Sequence, residues 1–405
     1  MVRLKRLRPF NEVNTVCTKH RLERPELETA TIFNEYWDNY IKMHEVTNNH
    51  RKAAWAIMNC RTSNLGIHKE KCSNIECDYE VLAYDSCFNR NCAKCEGAKR
   101  LKWVAARLLE LLPIHYFHVV FTMPQMLRLL ALFNQAIIYD LFFKATSYTL
   151  NSFSKDPRFL GAELGFIGIL HTWGKMLSLH PHIHYIVTGG GLAWDKSTWK
   201  PLPYRKKFFL PSFAVSRTLR KEFISLLESA YRKGELVFPG KLSEISSPSQ
   251  FDLFCRKLGR QSWYNHSKPP FSGPQKVLEY LSRYIHRVAI SNRHLVKIEN
   301  DQIYFTYKDY KDNEKIKLTS LPAFVFIRRF LMHVLPSGFR KIRYYGCLNT
   351  AAKNKNLEII RELLDDFVQE SIEAIRNCID RIEKYLIHKC PKCKVGTLVY
   401  VFDTS

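Results

Sequence analysis

The segment His180-Pro181-His182-Ile183-His184-Tyr185-Ile186-Val187 constrains the fold more than any other stretch of this chain. Side chains on a strand alternate in direction, so a strand here puts His182 and His184 on one face and turns Ile183, Tyr185 and Val187 into a core on the other. Two imidazoles side by side on a strand face suit a divalent ion; the competing reading is chance clustering of surface histidines. Pro181 has no amide to donate and belongs at a strand start or edge, which leaves His180 just outside the ladder yet able to lean toward the same ion. Gly189, Gly190 and Gly191 are expected to end the strand in a turn.

A chain of 405 residues has material for two or three domains with a buried core. Its 62 Lys and Arg against 38 Asp and Glu leave a net charge of +24, spread along the chain. That excess favours a polyanionic partner, nucleic acid ahead of a membrane surface. The basic start MVRLKRLRPF runs into NEVNTVCTKH and not into an apolar run, so it does not read as a signal peptide. The most apolar stretch, residues 127–143, is broken by Asn134, Gln135 and Asp140 and reads as a core helix. No membrane association and a cytoplasmic, nucleoid-associated location are expected.

Twelve cysteines in such a chain suggest thiolate metal ligands more than disulfides. Cys72 and Cys77 form one knuckle and Cys92 and Cys95 a second, separated from it by fourteen residues. Together they are expected to make one four-thiolate zinc site in a small, loop-rich unit. His68 and Cys87 are spare donors. The tail carries a further pair, Cys390 and Cys393, with no second half nearby.

The remaining pattern divides the chain into a helical lead-in (residues 1–65), a zinc-binding module (66–100), an α+β domain (101–346) and a charged, helical C-terminal region (347–405). Within the third unit, a helix from Leu101, a strand at Tyr116–Phe121, a helix from Gln125 to about Ser152 and a strand at Phe166–Leu170 precede the histidine strand. Residues 195–275 look irregular and are expected to be an insertion contacting substrate. Val277, Leu278, Leu281, Ile285 and Val288 fall on one face of a helix, and Tyr280, Tyr284 and Arg287 form the adjoining ridge.

Phosphodiester cleavage needs an in-line nucleophile, charge neutralisation at the phosphate and a positioned strand. A metal on the histidines and a tyrosine pair on a helix supply these parts, and two tyrosines allow two sequential transfers. The segments His171-Thr172-Trp173-Gly174, His180 to Leu192, and Tyr280-Leu281-Ser282-Arg283-Tyr284-Ile285-His286-Arg287 resemble the two-tyrosine rolling-circle transposases of bacterial insertion sequences. These are relatives of Helitron and ISCR transposases and belong to the HUH (His, hydrophobic, His) nucleases. The cysteine run ending Arg90-Asn91-Cys92-Ala93-Lys94-Cys95 and the block Gly338 to Gly346 are similar to further parts of that family.

The resemblance implies an HUH-type antiparallel sheet with flanking helices, beside an N-terminal zinc-binding module and a helical C-terminal region. By it, His182 and His184 hold Mg²⁺ or Mn²⁺, and Tyr280 and Tyr284 are the nucleophiles. Zn²⁺ sits in the cysteine module. The partners implied are single-stranded DNA, the element's own ends and a target site. His180 is the favoured third ligand, with His171 or a distant carboxylate open. Arg283, Arg287, Arg293, Arg340 and Arg343 are candidate DNA contacts. The first knuckle has four intervening residues where the family pattern has two, and Asn91 and Ala93 stand in place of His and Pro, so the zinc ligand set stays open. Alternatives are a replication initiator or relaxase of the same chemistry, or a non-catalytic zinc-dependent DNA-binding protein. The tail pair is expected to close a second zinc site with His68 and Cys87.

Overall fold

Apolar runs at residues 116–122, 163–173 and 179–192 pair edge to edge and make the centre of the molecule. The structure, a computed structural model, describes residues 26–95, 110–202, 210–271, 288–309, 312–364 and 389–401. In chain order its elements are α1 (Thr29–Met43), α2 (Asn48–Met58), β1 (Ile67–Cys72), β2 (Glu80–Tyr84), β3 (Tyr116–Thr122), α3 (Arg128–Phe133), α4 (Gln135–Lys155), β4 (Glu163–Trp173), β5 (Leu179–Leu192) and β6 (Trp199–Pro201). There follow α5 (Ser212–Arg232), α6 (Pro248–Arg260), β7 (Tyr264–Phe271), β8 (Leu295–Glu299), β9 (Gln302–Asp309), β10 (Lys315–Pro322), α7 (Ala323–Leu331), β11 (Ile342–Gly346), α8 (Lys353–Leu363) and β12 (Leu398–Val401). The expected helix at Leu101 and the tyrosine-bearing stretch at 272–287 lie outside the described residues.

The central sheet is antiparallel, in the order β11-β4-β5-β3-β7, with β6 on the far end of β5. One face carries Phe117, Val119, Phe121, Phe166, Ile183, Tyr185 and Val187 into the main apolar core, as strand alternation predicts. The other face carries Ile167, Ile169 and Ile186 against Leu357 and Ile360 of α8, and the histidines lie along it. This is the α+β arrangement expected, an antiparallel sheet with flanking helices.

The strand does not stop at its glycines: β5 runs through Gly189, Gly190 and Gly191 to Leu192. A Cβ on Gly189 would sit 2.5 Å from the His115 carbonyl oxygen, and one on Gly190 would sit 2.6 Å from the Trp199 indole. Glycine is required there by the close approach of neighbours, not by a turn. The helix expected over 125–152 is likewise interrupted. Asn134 breaks it, donating from Nδ2 to the Leu130 and Val237 carbonyls (3.1 and 2.9 Å) and accepting from Val237 N–H (2.8 Å). A buried amide thereby fastens the break to the chain that follows α5.

That chain is no irregular insertion. Helices α5 and α6 send Leu219, Phe223, Leu227, Phe251, Phe254 and Leu258 into the main core, and β7 joins the central sheet beside β3. Phe223 meets Phe142 of α4 edge to face at 6.2 Å and packs on Trp263 at 5.1 Å. A second apolar cluster joins α1 and α2 to the β8-β9-β10 meander and α7, with Phe33 edge-on to Phe330 at 5.3 Å. The lead-in is therefore part of the body: Thr29 N–H donates to Asn292 Oδ1 at 3.0 Å. Among the described residues no helix is long and apolar enough to cross a membrane.

Phe223→Ala should destabilise the protein by about 3–5 kcal/mol, the usual cost of deleting a buried phenylalanine. Denaturant unfolding followed by circular dichroism measures it; a loss below about 1 kcal/mol would mean that α5 is peripheral to the core.

Candidate metal centres

Strand register builds the first centre. His171 on β4 is paired with His182 on β5, and His184 lies two residues along the same face. The three imidazoles converge, with candidate ligand atoms all within 4.8 Å of one another. Ring centroids are 4.7 Å apart for His171 and His184, and 4.8 Å for His182 and His184. His171 and His184 are buried and His182 half-buried.

Neighbours set how the rings present their nitrogens. His182 Nδ1–H donates to its own strand's His180 carbonyl at 2.7 Å, so Nε2 carries the lone pair. His184 Nδ1 lies 3.0 Å from Nε2 of the buried His118 on β3, and a proton on His184 Nδ1 again directs its Nε2 lone pair outward. His171 stacks on Trp173 at 4.7 Å. Behind it His333 spans the β4–β5 connection: Thr172 Oγ1–H donates to Nδ1 (3.1 Å) and Nε2–H donates to the Leu177 carbonyl (3.1 Å). Burial pushes His333 down to about 4, so it is neutral and able to make both bonds at once. Metal-binding histidines held by their second nitrogen are the usual design of such sites, and this donor set fits a divalent ion.

His180 stands outside this converging group. Arg128 donates an Nη2–H to His180 Nδ1 at 2.9 Å, and burial, aided by the Arg128 charge, holds that imidazole below its ordinary range. His180 leads β5 next to Pro181, and its ring is engaged by Arg128 outside the His171, His182 and His184 group. The residue left open in the sequence, His171, completes the converging group because β4 is the neighbouring strand.

The cysteines also divide differently from their sequence spacing. Cys60, Cys87, Cys92 and Cys95 converge in one cluster, whereas Cys72 and Cys77 lie in another with Cys390 and Cys393. The single site expected from Cys72, Cys77, Cys92 and Cys95 is thus split in two. In the first cluster Cys60 Sγ lies 3.4 Å and Cys87 Sγ 3.6 Å from Cys95 Sγ, and Asn89 N–H points at Cys87 Sγ at 3.4 Å. Cys60 follows α2 with no partner at knuckle spacing, so the sequence carries no signal for it. His68, the other spare donor, is bonded through Nδ1 to Asp85 at 2.7 Å.

Tyr280, Arg283, Tyr284 and Arg287 lie outside the described residues, in the stretch that opens directly after β7. Arg293 and Arg340 are exposed. Arg343 is half-buried, pairs with Asp140 at 2.6 Å and lies 4.3 Å over the Phe143 ring, so part of its charge is spent on packing.

Residues 32–123 match the family model described as "Transposase zinc-binding domain", and residues 165–356 match that described as "Putative transposase". The chain is 40% identical over 380 residues to "Putative transposase y4qJ" of Sinorhizobium fredii (strain NBRC 101917 / NGR234), covering 92% of this chain and 94% of that protein. It is 26% identical over 336 residues to the "Transposase for insertion sequence element IS801" of Pseudomonas savastanoi pv. phaseolicola, covering 82% of this chain and 78% of the other. No solved structure matches. The first model spans the cysteines from Cys60 to Cys95, and the second spans His171, His182, His184 and both tyrosines.

His171→Ala should weaken Mn²⁺ binding, titrated by electron paramagnetic resonance, by at least tenfold, while His180→Ala leaves it within about twofold. His118→Phe should cost about 10–100-fold, the typical loss when an outer partner of a ligating histidine is removed. Equal losses for His171→Ala and His180→Ala would contradict the assignment of the third donor.

Proposed function

The chain belongs to the transposase family these comparisons define, and on that premise we propose that it cleaves and rejoins single-stranded DNA through 5′-phosphotyrosine intermediates in rolling-circle transposition. The observation that carries the reading is the convergence of His171, His182 and His184 on the central sheet. It is supported by the position of β7, two strands from β5, whose last residue leads into the segment holding Tyr280 and Tyr284. His171, His182 and His184 would hold a divalent ion, Mg²⁺ or Mn²⁺, and that ion would supply polarisation of the scissile phosphate. The protein's own groups do the rest. His118 and the His180 carbonyl hold the ligand tautomers, and His333 holds the hairpin that carries His171.

The phenol of Tyr280 or Tyr284 gives up its proton as its oxygen attacks phosphorus, the bond to the 3′ oxygen breaks, and that oxygen takes up one proton and leaves as a 3′ hydroxyl. The phosphotyrosine ester keeps the bond energy for rejoining, and the second tyrosine serves a second transfer. Arg283, Arg287, Arg293 and Arg340 are proposed to contact phosphates, with Arg343 contributing less because Asp140 already faces it. Zn²⁺ in the N-terminal cysteine cluster is structural on this reading.

Tyr280→Phe combined with Tyr284→Phe should abolish covalent adducts with single-stranded oligonucleotides carrying the element's ends, while binding stays within about twofold. An adduct surviving in that double variant would sink the proposal. EDTA, His182→Ala and His184→Ala should each stop cleavage, and Mg²⁺ or Mn²⁺ should restore it only after EDTA. Uncut but salt-sensitively bound DNA under every condition would instead mark a non-catalytic binding protein.

Binding should weaken with salt at a slope of about −0.7 per phosphate contact, and Arg340→Ala should flatten that slope by about one such contact. Affinity measured by fluorescence anisotropy across a salt series decides it; no change in slope would remove Arg340 from the contact surface.

A further inference from the structure

Cys72, at the end of β1, and Cys77 face Cys390 and Cys393 from the other end of the chain, all four sulfur atoms lying within 4.8 Å of one another. Cys72 Sγ is 3.6 Å from Cys393 Sγ, and Cys77 Sγ is 3.8 Å from Cys390 Sγ. A tetrahedral zinc with Zn–S bonds of about 2.3 Å sets its sulfurs about 3.8 Å apart, whereas a disulfide needs about 2.05 Å. The geometry points to a second structural zinc, held by these four thiolates, that clasps residues 389–401 onto the N-terminal module.

The surrounding backbone is arranged for such an ion. Asn74 N–H points at Cys72 Sγ (3.4 Å) and Gly396 N–H at Cys393 Sγ (3.3 Å), as expected of donors that stabilise thiolates. A Cβ on Gly396 would collide with Cys72 Sγ and lie 2.9 Å from the Asn74 nitrogen, so only glycine lets the two knuckles close on each other. Ser73 N–H donates to the Thr397 carbonyl at 2.8 Å, and Thr397 N–H donates to Ser73 Oγ at 2.9 Å. Beyond the knuckles β12 adds to β1 as an antiparallel strand, Cys72 opposite Leu398 and Lys69 opposite Val401.

Packing alone does not explain why this sheet forms. The β12-β1-β2 sheet leaves Ile67, Leu82, Tyr84 and Tyr400 exposed, and none of its four cysteines belongs to an apolar cluster of the described residues. The first cysteine cluster differs: Cys60, Cys92 and Cys95 are packed in the core around Phe33 and Phe330. The second site therefore depends on its ion for folding energy more than the first does. Its ligand pairs are more than 300 residues apart in sequence, so the module is complete only when residues 389–401 are present. None of this depends on the nuclease chemistry.

The test uses the full chain, with zinc per polypeptide from mass spectrometry and molar mass from light scattering. Wild type should hold two zinc ions; Cys390→Ser with Cys393→Ser should hold one, and hydrogen exchange across residues 67–84 should accelerate while the central strands keep their protection. Cys393→His, which preserves a donor in an accepted zinc set, should restore the second ion and the protection. One zinc in the wild type, two in the double serine variant, or a second zinc present only in a dimer and lost from the monomer would each overturn the clasp. Should the double variant fail to fold, the cobalt-substituted wild type decides: its thiolate-to-cobalt absorbance should correspond to two four-sulfur sites and not one.

Discussion

The antiparallel pairing of β4 with β5 is the interaction on which the rest of the centre depends. It sets His171 across from His182, and because the strand period is two, it places His184 on the same face without further adjustment. A slip of one residue in that register would turn His171 toward the apolar core and bring a buried leucine to the histidine face. The hairpin is pinned against such a slip from both sides. His333 bonds to Thr172 and Leu177 at the connection, and Tyr185 on the core face bonds Thr146 of α4 through its hydroxyl at 2.7 Å. A polar cluster on one side of a sheet is thus held by packing on the other.

Charge is handled in the same economical way. The chain carries +24, yet several basic side chains are committed internally: Arg128 to His180, Arg343 to Asp140, and Arg90 to the carbonyls of Pro336 and Phe339 at 2.9 and 2.8 Å. Arg90 belongs to the loop between the two zinc-type knuckles of the N-terminal half, so its fork ties that cysteine module to the chain that runs into β11. Net charge states a preference for polyanions, but which cations are available to a phosphate is a matter of which have no carboxylate or carbonyl to hold.

Much of the sheet was legible beforehand. Alternation along Ile183, Tyr185 and Val187 identified the buried face of β5, and the strands read at 116–121 and 166–170 fell within β3 and β4. The errors have physical causes. Glycines at 189–191 read as a turn because glycine most often signals backbone freedom, whereas here it makes room for His115 and Trp199. Residues 195–275 read as irregular because their prolines and charges obscured two amphipathic helices whose apolar stripes, in Leu219, Phe223 and Leu227 and again in Phe251, Phe254 and Leu258, finish the main core.

By itself the sequence determined which residue types are present and how local periods orient them: histidines on one strand face, cysteines in knuckle pairs, a chain rich enough in cations to meet a polyanion. Only the tertiary structure decided the company those residues keep. His171, and not His180, converges with His182 and His184 because the third member of the group comes from a neighbouring strand. Cys92 and Cys95 joined Cys60 and Cys87, and Cys72 and Cys77 joined a pair at the opposite end of the chain. Spacing along a chain reports which cysteines share a turn; which turns come together is settled by strand pairing and burial across hundreds of residues, and no local pattern encodes that.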